Sequence, residues 1–387
     1  MANRNRVIYQ SEGLFVSAGA ASGSLESHEQ LGRVQSANYS FTINRQDVNQ
    51  YGDLARIDSL VLDPPTVNVD FSYLLADGFN ERALGFFVQN PGGNGTQRGG
   101  GATADSVGSF ASGHLVATSG VNLYIVTSPD GEDLNKDGLG EALNISDTTI
   151  GIGNCYISDY SLDLSVGSLP TVSVTMEGAN MRSISNADET GSPAINQANG
   201  EAITTNITLP KPTKDGGITG ALLDGGAITA LRPGDVTVSL ADVAGESLAD
   251  IAGDDGAHIQ SVSISLPLAR SPLQRLGSKF PFARTVDFPV EISMNVSAVM
   301  NDTQSANLAS ILDSGVQDVS FLINDPTGGD PAIRGELKSV RLDSQSFSSS
   351  IGANKTVDLT FSTQVSGPND ETNGFFMSGC GWNTVFL

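Results

Sequence analysis

The run DLNKDGLGEALN, Asp133 to Asn144, spaces Asp133, Asn135 and Asp137 two residues apart, follows them with Gly138, and then offers the Leu139 carbonyl and the Glu141 carboxylate. Hard oxygen donors at this spacing, with a glycine that permits a sharp bend, are what a calcium loop presents at its positions 1, 3, 5, 7 and 9. Asn144 stands at the twelfth position, where a bidentate Glu ordinarily completes the shell, and no helix pair flanks the run. Two readings stay open. One is a weak structural calcium site on Asp133, Asn135, Asp137 and Glu141; the other is a solvated acidic loop after the Pro129 turn.

The remaining candidates for chemistry are sparse. His28, His114 and His258 are scattered, and no nucleophile elbow, zinc-protease or phosphate-loop pattern occurs. The glycine runs in NPGGNGTQRGGGATADS, from Asn90, lack the Lys-Ser/Thr ending and the preceding buried strand of a phosphate cradle, so they read as a loop. Cys155 and Cys380 have no metal-ligand spacing and read as two unpaired thiols. No catalytic residue and no required cofactor is expected, so the chain does not read as an enzyme.

With 43 Asp plus Glu against 20 Lys plus Arg, the 387-residue chain carries a formal net charge of -23. Such a surface repels polyanions, which argues against groove-type nucleic-acid binding. Charged residues are only 16% of the chain, and 44 glycines and 16 prolines are spread along it, as in a turn-rich β protein. No run approaches the 18 apolar residues of a membrane span, and the first twenty residues hold no apolar stretch of signal-peptide length. The expectation is a soluble, unexported chain with no membrane partner.

The elements that would carry any site occur twice. Residues 34–78 lie on 259–303 without a gap, and nine of those 45 positions are identical, among them Ser36 and Ser261, Arg45 and Arg270, Pro64 and Pro289, and Ser72 and Ser297. Val67, Val69, Phe71 and Leu75 fall on Ile292, Met294, Val296 and Met300, so the period-2 inward face keeps its register. In each copy a first strand, VQSANYSFTI or IQSVSISLPL, leads through a connection of some fifteen to twenty residues to a second strand. A further β pair follows, from Tyr160 and from Gln345, with Gly167 aligned on Gly352 and Thr171 on Thr356. Before each pair lies an apolar strand ending in a Pro turn, LYIVTSPDG and FLINDPTGG. Helix signals are confined to QSANLASILDSG, Gln304 to Gly315, and its counterpart FNERALGFFVQ after Gly78. The organisation predicted is a first β domain at 1–182, a linker with a surface hairpin at 183–232, and a second β domain at 233–387.

The strands VQSANYSFTINRQDVNQYG, PPTVNVDFSYLL, YISDYSLDLSVGSLPTVSVTMEGANM and LQRLGSKFPFARTVDFPVEISMNV together resemble the tail tube proteins of tailed bacteriophages, over most of residues 30–180 and 235–367. The resemblance implies a mainly β fold: two tandem tube-like sandwich or barrel domains, each with a short flanking helix. It implies sheets that join those of neighbouring subunits into an inner barrel, and a loop reaching to the adjacent ring, here Gln46 to Leu60 and Ser271 to Arg284. Six such domains make a ring, so three double-length chains would suffice. The inner wall would then come from Val34 to Arg45, Val67 to Leu75, Ile259 to Arg270 and Ile292 to Met300, with Asn68, Asp70, Asn295 and Ser297 on its polar side. Implied partners are other copies of the chain, the tape measure, tail tip and terminator proteins, and passing DNA without specific binding. The implied location is the virion tail, assembled in the host cytoplasm. An extracellular or virion-surface β-sandwich adhesion module remains the alternative.

The calcium reading makes a direct prediction. Calcium at a hundredfold excess over its dissociation constant stabilises a native-only site by about 2.7 kcal/mol. Millimolar calcium should therefore raise the melting temperature of the native protein and not that of Asp133→Ala plus Asp137→Ala. An equal response of the two proteins leaves only the solvated loop.

Overall fold

The computed structural model describes residues 12–17, 28–76, 78–89, 95–96, 108–117, 119–128, 147–185, 192–203, 206–207, 209, 231–240, 258–300, 315–324, 331–352 and 354–379. The first half comprises β1 (Glu12–Ser17), β2 (His28–Gln30), β3 (Val34–Thr42), β4 (Arg45–Val48), β5 (Asp58–Val61) and β6 (Thr66–Leu74). Helix α1 (Phe79–Leu84), β7 (Val88–Gln89), β8 (Gly95–Thr96), α2 (Ser112–Val116), β9 (Val121–Thr127), β10 (Thr148–Ser165), β11 (Thr171–Gly178) and β12 (Asn180–Ser185) complete it. After it come β13 (Val236–Ser239), β14 (His258–Pro267), β15 (Arg270–Leu273), β16 (Ala283–Val286) and β17 (Val290–Val299). The last strands are β18 (Gln317–Asn324), β19 (Pro331–Ser348), β20 (Thr356–Val365) and β21 (Gly374–Gly379).

Alternation of apolar and polar residues dictates the central sheet. In β6, Val67, Val69, Phe71 and Tyr73 are buried while Asp70 is exposed; in β17, Ile292, Met294, Val296 and Ala298 are buried while Glu291 and Asn295 are exposed. One face of each strand must therefore meet a core and the other must not. Antiparallel pairing strings eight strands together in the order β3-β6-β11-β10-β14-β17-β20-β19. The middle of this row, β10 against β14, runs from Asp159↔Pro267 to Ser165↔Ser261 and joins the two halves of the sequence.

The pairing registers repeat along the chain. Ser36 faces Ser72 and Ser261 faces Ser297, 225 positions on, with the register shift falling at Gln35 and at Gln260. Asp163 faces Thr171 and Ser348 faces Thr356, 185 positions on, with shifts at Ser158 and Asp343. The turns after β10 and β19 each use a left-handed glycine, Gly167 at φ 87° and Gly352 at φ 86°.

Both β10 and β19 are 18 residues long and serve two sheets. Their C-terminal parts belong to the eight-stranded row. The N-terminal part of β10 pairs with β9 and β12, and that of β19 with β18 and β21. Each strand changes sheet near a left-handed residue, Asn154 and Ser339, both at φ 55°. The strand β1 extends one outer sheet beside β9 and β13 the other beside β18, while β7 pairs in parallel with β21 across the halves. A single apolar cluster runs between these layers from Leu14 and Val69 through Leu162 and Ile264 to Phe361 and Met377.

The two long connections singled out from the sequence are partly ordered as strands. The segment Gln46 to Leu60 lies within the β4–β5 hairpin, and Ser271 to Arg284 within β15–β16. Helix α1 occupies the start of FNERALGFFVQ, between left-handed Gly78 and Gly85; most of the Gln304–Gly315 segment lies outside the described residues. β12 runs past residue 182, and in the following segment Ala194, Ile207 and Leu209 pack on Phe15, Tyr124 and Val126 of the first half.

A shared core and an eight-stranded row predict one cooperative melting transition by calorimetry. Ile264→Ala, at the joint between halves, should lower stability by about 2–5 kcal/mol while keeping a single transition. Two separated transitions in the native protein would contradict the shared core.

Candidate assembly interface

The two outermost strands of the row leave backbone groups unpaired. Among the described residues β3 pairs only with β6, and the C-terminal part of β19 only with β20. Unpaired strand edges are templates for further pairing. The core-facing side chains are also uncovered there: Tyr39 is 40% exposed, Phe41 58% and Phe347 41%. Their counterparts at the internal joint, Leu162, Ile264 and Leu266, are buried. The hairpins add fully exposed apolar tips at Tyr51, Leu54 and Leu276. Isolated exposed apolar residues are ordinary on a monomer, but here they cluster on two edges and two hairpins.

The face turned from the core is mainly polar, with Leu74 and Val299 at strand ends as exceptions. Register places Ser36, Ser72, Ser173, Ser161, Ser265, Ser293 and Ser362 side by side across seven strands, ending at Arg341 of β19. The hydroxyls of Ser36 and Ser72 lie 2.7 Å apart, Thr175 donates to Asp70 at 2.9 Å, and Thr360 donates to Asn295 at 3.0 Å. Asp70, Asp163, Glu291 and Asp358 are exposed on this face. The eight strands contain no lysine or arginine apart from those of β19. Asn68, Asp70, Asn295 and Ser297 all alternate with buried neighbours, so they lie on this side of the sheet.

The base of the β15–β16 hairpin is tied to the first half by two arginines. Arg270 donates to the His114 and Arg284 carbonyls, and its guanidinium lies 4.6 Å from the centre of the Tyr156 ring. Arg284 lies 5.7 Å from the same ring and 3.7 Å from the Glu177 carboxylate. Stacking on an aromatic face and donation to carbonyls suit a guanidinium better than an ammonium.

At the β19 end of the row, Phe288, Pro289, Ser339, Arg341, Ser362 and Asn373 line a groove of about 790 Å³. Asp370 secures its rim. Although burial opposes its charge, donation from Ser366, Thr372 and Asn373 holds the Asp370 carboxyl well below the usual carboxylate range.

The buried titratable groups serve packing. Glu81, 1% exposed, accepts from the Tyr73 hydroxyl at 2.8 Å and from that of Tyr160 at 3.5 Å, which fastens α1 to the sheet. Sequence reasoning missed this cluster; its only local signal was a carboxylate inside the apolar run FNERALGFF. Burial pushes the Cys155 thiol up to about 12, far from the thiolate that a nucleophile or metal ligand requires. Asp133, Asn135, Asp137 and Glu141 lie outside the described residues, as does Cys380. Among the described residues no group of three or more His, Cys, Asp or Glu converges to hold a metal ion, and no helix is long and apolar enough to cross a membrane.

Burial, aided by the Arg270 charge, lowers His114 to about 3. A histidine kept neutral in the fold contributes no pH dependence above about 6.5. Below that value the unfolded chain takes up a proton that the fold refuses, and stability falls by about 1.4 kcal/mol per pH unit down to about 3. Denaturant titrations at pH 7.5 and 5 should show the native protein losing about 2 kcal/mol more than His114→Gln. Equal losses would mean that His114 protonates in the fold. Compared with known proteins, the chain matches no family model and no curated sequence.

Proposed function

We propose that this chain is a structural virion protein that polymerises into stacked rings, forming the tail tube through which a tailed phage ejects its DNA. The observation that carries this reading is the eight-stranded row with both edges unpaired and one face polar and nearly free of cations. A head-to-tail pairing of one edge with the other is a heterologous contact, which closes into a ring when the rotation permits. Three chains would give a barrel of twenty-four strands. At strand spacings near 4.8 Å and the usual tilt, such a barrel is roughly 45–50 Å across, wide enough for a duplex to pass.

The repeated registers support a tandem duplication, with tube-like domains at 1–182 and 233–387 joined by 183–232. A ring of six such domains then needs only three chains, and its sixfold symmetry is broken by whatever differs between the halves. The polar side of the row is the lumen in this reading. Serine, threonine and carboxylate side chains there release no counterions from DNA, so the genome has no electrostatic reason to adhere. The hairpins β4–β5 and β15–β16 project toward the neighbouring ring. The tape measure occupies the channel, and tail tip and terminator proteins close its ends. Assembly takes place in the host cytoplasm, and the product is part of the virion tail.

Sedimentation at rising concentration, followed by negative-stain microscopy, tests the proposal. Rings or tubes with an axial hole are expected. A chain that stays monomeric in every salt and calcium condition, with tail-tip components added as nuclei, would exclude a tube and leave the adhesion reading.

A further inference from the structure

We infer that copies of the chain join by repeating the internal β10–β14 joint residue for residue, and that the groove beside β19 and β20 seats the base of the partner's β4–β5 hairpin. The inference rests on the ring proposed above and specifies its contact.

The two registers that repeat along the chain fix the geometry. Shifting β10 by 185 positions gives β19, and shifting β14 back by 225 gives β3. The internal pairs Tyr160↔Leu266, Ser161↔Ser265 and Leu162↔Ile264 then become Gln345, Ser346 and Phe347 opposite the partner's Phe41, Ser40 and Tyr39. Phe347 and Tyr39 are the side chains left 41% and 40% exposed, and this register sets them against each other on the core side. The internal joint is flanked by backbone bonds from Leu268 to Ser158 and from Val166 to Gln260. Their spacing makes Ser161 and Ser265 a non-hydrogen-bonded pair, the kind whose side chains stand closest. Ser346 and the partner's Ser40 inherit that relation.

The groove follows from the same shifts. In the first half, Tyr156 and Glu177 hold Arg270 and Arg284 at the base of β15–β16. Shifted by 185, Tyr156 and Glu177 become Arg341 and Ser362, and both line the groove. Shifted back by 225, Arg270 and Arg284 become Arg45 and Ser59, on the hairpin for which the described residues of its own chain provide no such seat. Arg45 is exposed along β4, where a partner's groove can reach it. Arg341 in place of the Tyr156 ring removes the stacking surface. Asp47, two residues from Arg45 and so on the same side of β4, accepts from Arg56 at 2.9 Å through one carboxylate oxygen, and its other oxygen is the one offered to Arg341 instead.

Oxidising the double variant Ser40→Cys plus Ser346→Cys under assembling conditions tests the register. Covalent dimers and trimers, with no larger closed species, are expected on a non-reducing gel. Asn38→Cys plus Ser346→Cys, displaced by two residues, should stay largely uncross-linked, as should the native chain with its two cysteines. Ser362→Trp, which fills the groove, should raise the concentration needed for assembly at least tenfold while leaving the melting temperature of the unassembled chain unchanged. Rings that form without the Ser40–Ser346 link, or that link through Asn38, overturn the register and leave the ring standing. Assembly of Ser362→Trp at the native concentration overturns the seat. A native chain that never assembles removes the ring, and this contact with it.

Discussion

The ladder between β10 and β14 is the interaction on which the rest of the structure depends. It pairs Asp159 through Ser165 with Pro267 through Ser261 and so converts two four-stranded rows into one. Backbone groups in a strand must find partners, and here each half satisfies one edge of the other. The same act leaves β3 and the end of β19 as the unsatisfied edges of the whole. If the two halves are repeats of one unit, as proposed, the same edge-to-edge joint is the instruction for adding the next chain.

The second constraint is the two-faced strand. Burial of Val69, Phe71, Met294 and Val296 on one side forces Asp70, Ser72, Asn295 and Ser297 onto the other. Because register is shared across the row, serines line up over seven strands, and a uniform polar track replaces a patchwork. A one-residue slip anywhere would turn apolar side chains into that track, so the same burial that stabilises the core also protects the surface chemistry. The scarcity of cations on this face is a property of the sheet and not only of the overall charge of the chain.

Strands with a clean period of two, such as β6, β14, β17 and β20, were legible from sequence because half-burial writes itself into alternation. The four-residue strands of the β4–β5 and β15–β16 hairpins were not. Their residues, including Arg45, Asp47 and Asp58, are largely exposed and carry no alternation, so only the length of the connection hinted at structure. The single long strands β10 and β19 were also hidden, since each changes sheet at a left-handed residue, and most of the first part of β10 is buried without alternation. The β10–β14 joint had no local signal, its partners being about a hundred positions apart. Arg270 was visible as the end of a strand matching Arg45 and Arg284 as the end of a loop, and their contact with Tyr156 required the fold.

A cryo-microscopy reconstruction of the assembled particle tests the central claim most directly. The account predicts three chains per ring, with β19 of each hydrogen-bonded to β3 of the next and the serine track facing an open channel. Six chains per ring, solvent along either of those edges, or a channel lined mainly by lysine and arginine would contradict it.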